Sequence, residues 1–187
     1  MKYQVVIIFL LISVLCFGQT KKEAKKNNIK STTTWITSYE NDKEQNYKDS
    51  YEEFDKMGHT VLKIEYRKDG TIKKKETARY DNYNNKIEET EFDGDDQKFS
   101  RKTCKYNAFN DKTEEIEYNA AGEIIKTSAY TYNSNGDRST EVITDGAGKL
   151  KKKNVYSFNS KHLKVERQSF NISNKLESLK KWSYDFF

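Results

Sequence analysis

The sequence contains no proline, only 8 glycines and only two cysteines in 187 residues. Without proline, no strand is barred from the interior of a sheet by a missing amide donor. One cysteine, Cys16, lies in the N-terminal apolar segment, so removal of that segment leaves Cys104 without a partner in the chain. Disulfides therefore do not hold this fold together, even in an oxidising compartment. Ile, Leu, Val and Phe are also scarce, at roughly a sixth of the chain beyond residue 18, a level typical of disordered sequences. Charge does not complete that picture, because 34 Lys and Arg are balanced by 29 Asp and Glu and the signs are mixed. A balance of this kind gives no basic face for nucleic acid, and a nucleic-acid partner is not expected.

What is present begins with a targeting pattern. Lys2 precedes an apolar run from Val5 to Leu15, interrupted by Ser13, and Cys16-Phe17-Gly18 ends it. This is a secretory signal over residues 1–18, cut before Gln19 and too short for a permanent membrane helix. Leu15 is too large for a lipoprotein signal at Cys16, so plain export is expected, to the periplasm, the cell surface or the medium. Residues 19–31, rich in Lys and Asn, read as a flexible basic leader, and residues 32–187 as one repeat domain.

The repeat has a period of 26. Phe54, Tyr80, Tyr106, Tyr132, Phe158 and Tyr184 recur at that spacing, and Tyr66, Phe92, Tyr118 and Phe170 follow 12 residues behind, with Thr144 the one departure. Asp or Asn follows nearly every member, and the fourth residue on is Gly58, Gly70, Asn84, Asp96, Asn110, Gly122, Gly136, Gly148, His162 or Asn174. The first type starts a turn by accepting a hydrogen bond from the amide two residues on, and the second tolerates a left-handed backbone. Segments such as Thr60 to Tyr66, Lys86 to Phe92 and Lys149 to Phe158 run between them, rich in β-branched and aromatic residues. The pattern predicts an all-β antiparallel meander of about twelve strands made of tandem hairpins.

Alternation along the strands puts Ala78, Cys104, Tyr130, Tyr156 and Trp182 in one column. Ile64, Thr90, Ile116 and Val142, with the short-strand aromatics, are expected on the same face, and Lys75, Arg79, Arg101, Lys105 and Lys153 on the opposite one. A moderately apolar face must be covered, so the sheet is expected to curl into a spiral or partly open barrel. Neither face is apolar enough for an outer-membrane barrel, and no membrane span is expected after signal cleavage. Successive strands alternate between basic and acidic, which favours the correct register across each pair.

The phrases Tyr80-Asp81-Asn82-Tyr83-Asn84, Tyr118-Asn119-Ala120-Ala121-Gly122 and Tyr132-Asn133-Ser134-Asn135-Gly136 resemble the YD repeats of the Rhs class. There, a Tyr-Asp pair, two variable residues and a glycine recur through a β-hairpin array. The resemblance covers about residues 51 to 187 and implies a surface-exposed or secreted array. In that class such arrays form β-shells that bind carbohydrate or enclose a toxin. With so few repeats and no toxin-like segment after them in this sequence, an encapsulating role is not expected. A weaker similarity is to MORN-like repeats of antitoxin components, which the export signal opposes.

No nucleophile, base and orienting group fall into a catalytic spacing, and the expectation is a non-enzymatic protein without cofactor or metal. His59 and His162 read as turn residues, and Cys104 as a buried member of its column. Asp93 to Asp96 and Asn133 to Asp137 faintly resemble calcium loops but lack the closing acidic residue. Tyr83, Phe109, Tyr130, Tyr156 and Trp182 are the candidate ligand-binding residues, since aromatics in a repeated register offer stacking platforms. Tyr130, Tyr156 and Trp182 would alternatively fill the interior of a curled sheet. Three roles follow: binding a carbohydrate or protein partner, assembly through open sheet edges, or carrying a hydrophobic ligand in the periplasm.

Overall fold

The computed structural model describes residues 20–40 and 43–187; the signal peptide and its cut lie outside the described residues. A short helix, α1 (Lys21–Lys26), precedes twelve strands. These are β1 (Ser31–Glu40), β2 (Lys43–Phe54), β3 (Thr60–Tyr66), β4 (Ile72–Tyr80), β5 (Lys86–Phe92), β6 (Lys98–Tyr106), β7 (Lys112–Tyr118), β8 (Ile124–Tyr132), β9 (Arg138–Asp145), β10 (Leu150–Phe158), β11 (Lys164–Phe170) and β12 (Leu176–Lys181). They form one antiparallel sheet in chain order, a repeat-like meander.

The turns form as the sequence predicts. All ten residues at the fourth position have positive φ, from 55° at Asn174 to 86° at Gly122. Asp81 shows the local cause: its carboxylate accepts from the Tyr83 amide at 2.8 Å and the Asn85 amide at 2.9 Å, and its own amide donates to the Asn85 carbonyl. The same arrangement recurs at Asn107, Asn133 and Asn159.

The sheet does not curl as expected. β1 and β12 each have one neighbour, and the sheet is neither closed nor strongly curled. The cause lies in the faces. Ala78 opposes Glu89, Cys104 opposes Glu115 and Tyr130 opposes Glu141. The column therefore shares its face with the charged row Glu89, Lys102, Glu117, Lys126 and Asp145, whose members are paired in register. The short-strand set lies on the other face: Ile64 opposes Lys75, Thr90 opposes Arg101 and Val142 opposes Lys153. Even-numbered residues oppose odd-numbered ones across these hairpins, and register shifts beside the turns break the alternation at the terminal aromatics. Each face is thus a mixture of apolar and charged groups, and neither requires a covering layer.

Side chains lying across the strands replace a conventional core. Lys74 pairs with Glu91 at 3.1 Å, Lys105 with Glu114 at 2.7 Å and Lys126 with Glu117 at 2.9 Å. Such exposed pairs contribute little singly, and their repetition favours one register. Ser128, Asn154 and Ser169 are buried in the sheet, and the Ser169 hydroxyl donates to Asn154 at 2.7 Å.

Part of the segment read as a flexible leader is ordered. Thr20 caps α1 and exchanges hydrogen bonds with Glu23, a reciprocal capping box. The helix covers the β2–β3 turn, burying Ala24, Phe54 and His59. β1 begins at Ser31, inside the same segment. Among the described residues, no helix is long and apolar enough to cross a membrane.

Candidate binding site at the loop edge

A meander places alternate turns at opposite ends of the sheet. The turns after β2, β4, β6, β8 and β10 share one end, with Met57, Tyr83, Phe109, Asn135 and Lys161 at the equivalent tip position. The turns at the other end carry Asp69, Asp95, Ala121, Ala147 and Ser173 there. Large apolar tips therefore collect at one end. Tyr83 is 74% exposed and Phe109 86%, with their amides held by the turn and their rings in solvent.

Successive turns at this end are joined at some junctions and open at others. Asn85 donates to Asn110 at 3.0 Å, and His162 Nδ1 lies 3.0 Å from Asp137, each contact linking one turn to the next. Open grooves lie at two junctions of the series. One, of about 480 Å³, lies between residues 55–59 and 81–85 and is lined by Met57, His59, Ala78 and Tyr80. The other, of about 680 Å³, lies between residues 107–111 and 133–137 and is lined by Phe109, Asp111, Tyr130 and Tyr132. These are the same groove two repeats apart: each residue named for the second lies 52 positions after its counterpart in the first. Phe109 stands for Met57, Asp111 for His59 and Tyr130 for Ala78, so the second groove is the more aromatic.

Of the candidate residues, the structure brings Phe109 and Tyr130 together in the second groove. Tyr83 projects from the turn of residues 81–85, which forms one wall of the first groove. Tyr130 is half-buried, with the Arg138 guanidinium 4.3 Å from its ring centre. Tyr156 is turned to structural use, its hydroxyl donating to Glu141 at 2.8 Å and Lys164 lying 4.4 Å from its ring. Trp182 lies between Lys180 and Lys164, at 5.0 and 5.9 Å. These three do not fill an interior, since an open sheet has none.

His59, expected to be a turn residue, also packs. It is 5% exposed, stacks on Tyr80 at 4.2 Å and holds Asp55 at 2.7 Å through Nδ1. Burial opposes the charge of Asp55, yet hydrogen bonds from the His59 ring and amide and from the Met57 amide hold that carboxyl below its ordinary range. His162 occupies the left-handed position as expected, with φ 60°. Cys104 is half-buried, and burial pushes its thiol up despite nearby Lys112. The loops resembling calcium sites use Asp93 and Asn133 for their own turns, and the described residues hold no cluster of three metal-ligating side chains. Met57 and His59 were not distinguished as lining residues by sequence, although aligning the loops at twice the period pairs them with Phe109 and Asp111.

The fold defines a β-hairpin repeat protein built on one open sheet. No family model and no curated protein matches the chain. Among solved structures it is similar to a porin-like protein from Bacteroides uniformis, 9% identical at a TM-score of 0.46, over 76% of this chain and 78% of that one. The Photorhabdus luminescens Tc holotoxin pore, an RHS-containing toxin, is 8% identical at 0.27, over 81% of this chain and 11% of that one. TarM from S. aureus, solved in complex with fondaparinux, alpha-GlcNAc-glycerol and UDP, is 15% identical at 0.26, over 76% and 20%. This chain thus spans a small part of the toxin and TarM chains.

Proposed function

We propose that this is an exported, non-enzymatic YD-repeat-type protein that binds a glycan or protein partner at the cell envelope or outside the cell. The observation that carries the proposal is the convergence of Phe109 and Tyr130 on one open groove rimmed by Asn107, Asn133, Ser134 and Asn135. An exposed ring on a fixed turn presents apolar area at low entropic cost, and the surrounding amides and hydroxyls suit hydroxyl-rich ligands. A tip phenylalanine exposed at 86% has no packing role within the chain.

The experiment is a glycan-array and envelope-extract binding assay on residues 20–187, beside the variants Phe109→Ala and Tyr83→Ala. Binding that falls at least tenfold in Phe109→Ala, with an unchanged circular dichroism spectrum, is the expected result. Binding indifferent to both substitutions moves the site elsewhere.

A second reading has its own observation. Among the described residues, β1 and β12 each leave one edge unpaired, and Trp35, Tyr39, Leu176 and Leu179 on them are exposed. Such edges accept a strand from another chain, as an assembly component requires. Concentration-dependent growth in small-angle scattering, lost on placing lysine at Trp35 and Leu179, distinguishes this reading. The carrier role depended on a curled apolar face, and an open sheet supplies none.

A further inference from the structure

We infer that β1 pairs with β1 of a second copy of this chain, antiparallel about a two-fold axis at Trp35, to give a closed dimer with one continuous sheet. The inference rests on the assembly reading above and names the partner, the edge and the register.

The two edges left unpaired among the described residues are not alike. β12 carries Glu177, Lys180 and Lys181, charges of the kind that keep an edge from accepting a strand. In β1, Glu40 is the one charged residue, although 34% of the chain is charged. Most of β1 is threonine, isoleucine or aromatic, the types that favour a strand. The residue left over at the register shift between Thr34 and Trp35 is Asp49 on β2, so β1 itself runs unbroken.

This open edge has a definite hydrogen-bonding phase. The Phe54 amide donates to the Lys30 carbonyl at 2.9 Å, one step beyond the pair Ser31 and Glu53. Backbone groups alternate in direction along an unbroken strand, so those of the even-numbered residues face β2. Those of Ser31, Thr33, Trp35, Thr37 and Tyr39 face outward. The side chains of these five are also the exposed ones, with Trp35 at 60% and Tyr39 at 73%.

Self-complementarity singles out a second β1 as the partner. Opposed residues in an antiparallel pair lie on the same face, so a two-fold axis normal to the sheet passes between two copies of one residue. With the axis at Trp35, every outward-facing residue meets an outward-facing partner: Ser31 meets Tyr39, Thr33 meets Thr37, and Trp35 meets its own copy. Small opposes large, hydroxyl opposes hydroxyl and ring opposes ring, all favourable cross-strand combinations. The same register sets Lys30 against Glu40 at both ends of the pairing, and nowhere opposes like charges. An axis at Ile36 leaves Ser31 without a partner in β1, and an axis at Thr34 leaves Tyr39 without one. Either shift also parts Lys30 from Glu40.

A head-to-tail arrangement instead sets the charges of β12 against an uncharged strand and leaves an edge open for further growth. In the symmetric pair each copy covers its uncharged edge, and only the charged β12 edges remain free. The Phe109 groove, between the turns after β6 and β8, lies clear of β1, so the dimer presents it twice.

The test is sedimentation velocity on residues 20–187 across a concentration series, with circular dichroism to confirm folding. A monomer–dimer equilibrium without larger species is expected. Trp35→Lys, which opposes like charges across the axis, should abolish the dimer, and Leu179→Lys on β12 should leave it unchanged. Lys30→Glu should weaken the dimer by about fivefold, and Lys30→Glu combined with Glu40→Lys should restore it. That pair lies at the ends of the strand, so it stays informative even where Trp35→Lys disturbs folding. A double reversal that does not rescue overturns the register. Species that grow past the dimer and vanish in Leu179→Lys, or a dimer indifferent to Trp35→Lys, overturn the inference and leave the assembly reading standing. A particle that stays monomeric up to its solubility limit overturns both.

Discussion

The hydroxyl of Tyr132 donates to the backbone carbonyl of Lys112 at 2.7 Å, reaching back across one hairpin to the start of β7. Tyr106 makes the same bond to Lys86 at 2.9 Å, Tyr184 to Lys164 at 2.7 Å and Tyr80 to Thr60 at 3.3 Å. The aromatic that opens the turn phrase is therefore also a latch between repeats, which explains the prevalence of tyrosine over phenylalanine. Tyr132→Phe should cost about 1 kcal/mol in urea unfolding. Phe158 occupies the same position without a hydroxyl, so Phe158→Tyr should gain a comparable amount through the Arg138 carbonyl. A neutral result for both would mean that water serves these carbonyls equally well.

On the face opposite the Tyr130 column, the Arg101 guanidinium lies 4.3 Å from the ring centre of its cross-strand partner Tyr118, and Lys75 lies 4.7 Å from that of Phe92. One repeat later the pair is Thr127 with Thr144: cation and ring are lost together. A double-mutant cycle on Arg101 and Tyr118 should give a coupling of about 0.5 to 1 kcal/mol. Installing Thr127→Lys with Thr144→Phe should raise the urea midpoint by more than the two single changes combined.

Gly58 and Gly70 both have positive φ but different surroundings. A Cβ on Gly58 would strike the Lys21 carbonyl and lie 2.8 Å from the Lys25 amide, whereas Gly70 has nothing within 4 Å. Gly70→Ala should cost only the backbone penalty, roughly 1 to 2 kcal/mol. Gly58→Ala should also displace α1, seen as rapid trypsin cleavage after Lys25 and Lys26 that Gly70→Ala does not produce.

Burial, followed by the hydrogen bond to Glu141, raises the Tyr156 phenol from 10.0 to about 12. The folded pKa lies above the unfolded one, so this contribution to stability is complete below about pH 10 and is lost as pH rises through about 12. Titrating tyrosinate absorbance should reveal a step near 12 that Tyr156→Phe removes. The variant's stability should also decline less steeply over the same interval.

Local chemistry made much of this protein legible. Asp81 and Asn84 announce a turn because each affects only its own few residues, and the same holds at Asn107 and Asn110. The capping pair Thr20 and Glu23 was equally local, but the surrounding lysines and asparagines made the segment resemble a solvated leader. Face assignment was harder. Ala78 and Ile64 were placed together by counting from the nearest aromatic, and the register shifts beside the turns invalidate that count.

The sequence by itself determined the twelve strands, their order, the hairpin turns and the aromatic tips, because these follow from short-range hydrogen bonding and a fixed period. Only the tertiary structure decided that the sheet stays open, that Tyr132 latches to Lys112, and that Phe109 and Tyr130 face one groove while Asn85 and Asn110 close the junction beside it. Those outcomes depend on how residues twenty or more positions apart meet across neighbouring hairpins. A one-residue change of register there moves every side chain to the other face.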